Sequence, residues 1–201
     1  MKIRYNAPTV LTFAFISAAV LILSQTVARS LTVEWFAVPG KTGFDAGSFR
    51  CWVTLLTHVL GHKDWPHLIS NFTFILLIGP ILEEMYGSFS LVIMICITAL
   101  VTGALNVLFF STGLLGASGV VFMMILLVSF TNFNKGEIPL TFILVVILYL
   151  GKELFDSFRG FFGTGDDISQ FGHIVGGFIG SLFGFIKAPS RRPVANSGKI
   201  E

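Results

Sequence analysis

Ser118 stands in Gly116-Ala117-Ser118-Gly119 and His173 in Gly172-His173-Ile174-Val175-Gly176, each near the start of an apolar stretch. A serine hydroxyl is a weak nucleophile until a base takes its proton, and histidine is the usual base. Small neighbours expose the serine oxygen and let a second helix come close. The pair points to nucleophilic hydrolytic chemistry placed within a membrane. His67 and Asn71 lie one helical turn apart and share a face. Their donors suit the negative oxygen that forms when a serine attacks a carbonyl. Each feature alone also has a plainer explanation. Glycines pack helices, a buried histidine spaces them, and an asparagine serves as an interhelical hydrogen bond.

The elements that must carry these residues follow from composition. The 201 residues are 54% hydrophobic and 12% charged, with a mean hydropathy of +0.84. Soluble domains carry roughly 25% charged residues, so the chain reads as an all-α polytopic membrane protein. A spanning helix needs about 20 mostly apolar residues. Six segments approach this length, over residues 8–28, 66–85, 90–111, 115–130, 138–154 and 169–187. Residues 1–188 form one six-helix membrane domain, and residues 189–201 a short polar tail. Connections 86–89 and 112–114 are short enough to force antiparallel neighbours, whereas 29–65 and 151–168 are long. The first long connection holds most polar and aromatic residues of its half and is expected to behave partly as a small domain. The second carries Phe155, Phe158, Phe161 and Phe162.

Lys2 and Arg4 precede an apolar run as long as a full span, with no small-x-small cleavage site after it, which predicts a retained first helix. With six spans, Lys2, Arg4, Lys135, Lys187, Arg191 and Arg192 share one side, so both termini are expected in the cytoplasm. A net charge of +2, with its lysines and arginines near helix ends, gives no sign of nucleic-acid binding. Cys96 falls inside a predicted membrane helix, which argues against a structural disulfide with Cys51.

This topology brings chemistry together. The second, fourth and sixth segments begin on the non-cytoplasmic side, so at about 1.5 Å per residue His67, Ser118 and His173 lie within about 10 Å of one face. Gly116 and Gly119 on one segment, and Gly172, Gly176 and Gly180 on another, form small-residue faces suited to close packing. His58, His62 and His67 raise the question of zinc, but the metalloprotease pattern needs glutamate after the first histidine, where this chain has Val59. No metal or cofactor is expected. Asp166 and Asp167 have no clear helical relation to His173, which favours a dyad over a triad.

The ordered set of motifs resembles the rhomboid family of intramembrane serine proteases over residues 49–180. It comprises His67-x-x-x-Asn71, Glu83 with Tyr86-Gly87-Ser88, Gly116-Ala117-Ser118-Gly119, and His173-x-x-Gly176-x-x-x-Gly180. The resemblance implies a six-helix rhomboid-like bundle in which Ser118 is nucleophile and His173 general base. It further implies that His67, Asn71 and the Ser118 backbone N–H form the oxyanion hole. Arg50 matches the arginine of a first-loop Trp-Arg pair, with Phe49 in place of tryptophan, and Phe122 stands where the family usually has tyrosine. The implied substrates are membrane proteins cleaved in or near their transmembrane segments, and the implied setting is a lipid bilayer, the cell membrane. A non-catalytic binder of transmembrane segments is an alternative. A small transporter is a further one, disfavoured because the polar groups cluster near one face and the middles of the third and fourth segments look apolar. Substrate entry would need a movable element, for which the 151–168 loop and the fifth segment are the candidates. An interfacial aromatic anchor is the alternative use of that loop.

Overall fold

The computed structural model describes residues 5–130 and, beyond them, Leu140, Ile143, Leu144, Ile147, Val175, Gly176, Phe178, Ile179, Leu182, Phe183 and Ile186. Among the described residues the chain forms α1 (Pro8–Thr26), α2 (Leu31–Trp35), α3 (Phe49–Thr57), a 3-10 turn (His58–Leu60), α4 (Trp65–Tyr86), α5 (Ser88–Phe109) and α6 (Ser118–Phe130). Three of these, α1, α4 and α5, are long and apolar enough to cross a membrane. Their inner faces bury Val10, Phe72, Ile75 and Leu91, while Phe15, Leu77, Ile81 and Leu100 point outward. Helices apolar on every side need lipid around them.

The first three apolar segments coincide with α1, α4 and α5 to within a few residues. The fourth begins at Ser118, later than hydropathy places it. Leu114 is held sideways by paired backbone bonds with Val38 at 2.8 and 2.9 Å, and Gly116 has a φ of +117°, which a right-handed helix excludes. The described residues from Leu140 to Ile147 and from Val175 to Ile186 are helical. The rest of the fifth and sixth segments, the 151–168 loop and the 189–201 tail lie outside the described residues.

Local chemistry sets the ends of α4. Asp64 is its N-cap, accepting the His67 N–H at 2.8 Å, and Pro66 occupies the first turn, where its missing N–H costs nothing. At the other end Gly87, with φ +83°, is the whole connection to α5. Nothing lies within 4 Å of a Cβ there, so glycine is required by the backbone conformation and not by space.

The long first connection is structured. On α3, Cys51 and Leu55 turn inward, while Phe49, Trp52 and Leu56 are exposed. A Cβ on Gly103 of α5 would stand 3.0 Å from the Leu55 carbonyl oxygen, so α3 rests almost directly on the α5 backbone. The facing side of α5 buries Thr98, Thr102 and Asn106 at four-residue intervals. This corrects the expectation that the middle of that helix is apolar. Thr98 and Thr102 donate back to the Met94 and Thr98 carbonyls, each at 2.8 Å, so their hydroxyls are satisfied within their own helix.

α1 runs antiparallel to α4. Phe13 meets Phe72 edge to face at 5.1 Å, and Val10 fills the space left by Gly79. At the start of α1, the buried Glu83 carboxylate of α4 accepts the N–H groups of Thr9 at 2.8 Å and Val10 at 3.1 Å. First-turn amides have no partner in their own helix, so Glu83 caps α1 from across the interface. Glu83→Ala should therefore destabilise the bundle by about 2 kcal/mol, with Glu83→Gln retaining part of the loss-free state. Denaturation in mixed micelles checks this; an unchanged unfolding midpoint for Glu83→Ala would remove the cap from the list of stabilising contacts.

Candidate functional site

The turn that delivers Ser118 is tied down before the helix begins. Lys41 donates its N–H to the Phe110 carbonyl at 2.7 Å, Val38 pairs with Leu114, and Gly116 donates to the His58 carbonyl at 2.9 Å. The Asn106 amide donates to the Thr112 carbonyl at 3.1 Å. After these ties Ala117 is fully buried, and α6 starts with a half-buried Ser118. A backbone N–H at a helix's first position has no carbonyl partner within the helix and sits at the positive end of its dipole.

His67 and Asn71 reach this turn from the first two turns of α4. A Cβ on Gly116 would stand 2.7 Å from both Cε1 and Nε2 of His67 and 3.7 Å from Nδ2 of Asn71. Glycine is required here twice, for its positive φ and for the space the imidazole takes. The structure thus brings His67, Asn71, Gly116 and Ser118 to one place.

His62 completes this cluster; the sequence raises it only with His58 and His67 as a zinc question, not as a neighbour of Asn71. Its Nε2 lies 3.2 Å from Nδ2 of the buried Asn71, and its Nδ1 lies 3.3 Å from the Leu60 carbonyl oxygen. A carbonyl only accepts, so Nδ1 carries the proton and Nε2 accepts from the amide. The ring also stands edge-on to His67, with centroids 5.0 Å apart. Burial, aided by the neighbouring His67, lowers the His62 pKa from 6.5 to about 4, against the opposing pull of the Leu60 carbonyl and Asp64. His62 is separated from His67 by a chain turn and a helix cap, so a helical repeat does not relate them. His58 is directed elsewhere, with its Nε2 at 3.3 Å from the Thr102 hydroxyl.

On its other flank α6 meets the helical stretch around Gly176. A Cβ on Gly176 would stand 2.7 Å from the carbonyl carbon of Gly119, and closer still to its oxygen. Backbone lies against backbone there. Val175, Ile179 and Phe183 turn towards the core, while Phe178, Leu182 and Ile186 are exposed. His173, Gly172 and Gly180 lie outside the described residues. Phe122, one turn beyond Ser118, is 3% exposed.

Two expected supporting residues sit apart from this cluster. Arg50 is exposed at the start of α3 and lines a cavity of about 300 Å³ with Glu34, Cys51, Thr54 and Gly113. Glu83 is about 18 Å further along α4 than Asn71, at about 1.5 Å per residue. Its place is at the α1 cap described above.

A serine at a helix start, polar side chains from an apolar neighbouring helix, and a glycine seam to a third helical stretch together define a helical membrane protein with a recessed polar site. Residues 50–190 match the Rhomboid domain, and the chain belongs to the rhomboid family. A search of curated proteins finds no match.

The buried imidazole makes stability depend on pH. Between pH 6.5 and about 4 the unfolded chain binds a proton at His62 that the folded chain does not. Its contribution is therefore complete above pH 6.5 and is lost as pH falls through about 4. Unfolding midpoints measured across this window should decline towards acid, and His62→Gln, which does not titrate, should flatten that decline. A parallel pH profile for the variant would show that other groups govern acid sensitivity.

Proposed function

We propose that this protein is a serine endopeptidase that cleaves membrane proteins in or near their transmembrane segments. The observation that carries this reading is the convergence of His67 and Asn71 on Gly116, in the turn that presents Ser118. Membership of the rhomboid family, whose members are generally serine proteases, supports it.

In this mechanism Ser118 Oγ attacks the scissile carbonyl carbon while His173 accepts its proton. His67, Asn71 and the Ser118 N–H donate to the oxygen that becomes negative. Collapse of the tetrahedral intermediate breaks the C–N bond, and His173 returns the proton to the leaving amine. Water, deprotonated by His173, then hydrolyses the acyl-serine ester and restores both residues. His173 precedes Gly176 by three residues, a spacing that shares one face on a helix. The contact between Gly176 and Gly119 supports a short reach from that face to Ser118. Phe122 supplies a ring beside the dyad without the hydroxyl of a tyrosine. The dyad calls on no cofactor or metal.

The same reading places residues 1–188 in one six-span domain of the cell membrane, with both termini and the 189–201 tail in the cytoplasm. Substituted-cysteine labelling should then reach Thr42→Cys and Ser197→Cys from opposite sides. Labelling of both from one side would break the six-span arrangement.

Activity is tested with detergent-purified protein and a model transmembrane substrate. Ser118→Ala and His173→Ala should each reduce cleavage to background, and the double variant should be no worse, since the pair acts as a unit. His67→Ala and Asn71→Ala should each lower kcat by about 100-fold with little change in KM. Cleavage by a folded Ser118→Ala protein would overturn the assignment. A wild-type protein that binds transmembrane segments yet resists a fluorophosphonate probe would instead be a non-catalytic binder.

A further inference from the structure

His62 lies outside the groups that the proposed chemistry uses, yet it is buried to 1% exposure directly behind one of them. Nitrogen Nδ2 of Asn71 carries two N–H groups in a fixed plane, and Oδ1 lies opposite. Nitrogen Nε2 of His62 sits 3.2 Å from Nδ2. With Nδ1 turned to the Leu60 carbonyl, Nε2 presents a lone pair and accepts only. An amide rotated by half a turn would set the Oδ1 lone pairs against the Nε2 lone pair, with no proton between them. That arrangement is repulsive, and in a buried site it leaves two acceptors unsatisfied.

We propose that His62 is a positioning residue for Asn71, accepting one amide N–H so that the second is held towards the turn before Ser118. This rests on the proteolytic reading above and adds the group that orients one of its oxyanion donors. The gain is preorganisation. A donor already aimed where charge develops needs no rearrangement in the transition state, whereas a freely rotating amide spends part of its time presenting oxygen to the oxyanion. Burial supports the role, because an imidazole that stays neutral near pH 7 keeps its acceptor nitrogen available. Leu60 fixes the tautomer, as an outer partner fixes a metal-bound histidine in other sites.

The test compares His62→Phe, which keeps a ring but removes the acceptor, with His62→Gln, whose Oε1 restores one. His62→Phe should lower kcat by about 10-fold or more with KM held, the scale expected when an outer partner of a site group is removed. His62→Gln should recover most of that loss. In an Asn71→Ala background His62→Phe should have no further effect on kcat, because nothing is left to position. Independent losses in the double variant, a change confined to KM, or wild-type kcat in His62→Phe would each overturn the positioning role while leaving the protease reading intact. Absence of Ser118-dependent turnover in the wild-type protein would overturn both. Should His62→Phe fail to fold, nitrogen resonances of the wild-type imidazole decide the matter. Protonated Nδ1 with bare Nε2 at neutral pH is the expected result, and the opposite tautomer would overturn the proposal.

Discussion

Residue 116 has to meet two conditions at once, and much of the surrounding structure can be traced to them. Its backbone turns with φ +117°, which stops the preceding segment from joining α6 as one continuous helix. Its missing side chain leaves the volume occupied by the His67 imidazole. The first condition makes Ser118 a helix-initiating residue with its N–H free of helical bonding. The second brings the polar edge of α4 against that same helix start. The His58 carbonyl receives the Gly116 N–H, and the Val38–Leu114 pair aligns the approach. The first connection therefore acts as a brace for the turn.

Away from this turn several backbone and polar groups that lipid cannot satisfy find partners within the protein. Glu83 meets the amides that open α1, Asp64 meets the amide that opens α4, and the α5 threonines bond to their own helix. Glycine contacts bring elements together where side chains would hold them apart, at Gly79 with Val10 and at Gly103 with Leu55. The outer surface is left to residues such as Phe15, Leu77 and Leu100, whose only suitable solvent is lipid.

How much of this could be read from the sequence depends on the range of the interactions involved. α1, α4 and α5 are long and predominantly apolar, so hydropathy alone finds them, and the four-residue spacing of His67 and Asn71 predicts a shared face. α3 escaped notice because its buried side is only Cys51, Thr54 and Leu55, while Phe49 and Trp52 give the connection the look of an aromatic loop. The buried ladder of Thr98, Thr102 and Asn106 was visible as a spacing but masked by the apolar residues between its members. The start of α6 depends on the φ of Gly116, and the role of His62 depends on the bend at residues 63–64 that leads into α4. Both are tertiary outcomes. Glu83 was legible as a residue of note, but its partners on α1 lie more than 70 residues away in the chain.

The meeting of Gly119 and Gly176 has a mechanical meaning as well as a geometric one. Side-chain contacts yield by rotamer change, and a lipid tail can wedge between two leucines. Two peptide planes in direct contact have no rotamers to exchange, and the gap between them is narrower than a methylene chain. The seam is a weld. Along this contact there is no side-chain wall to part, so no passage towards Ser118 opens between Gly119 and Gly176.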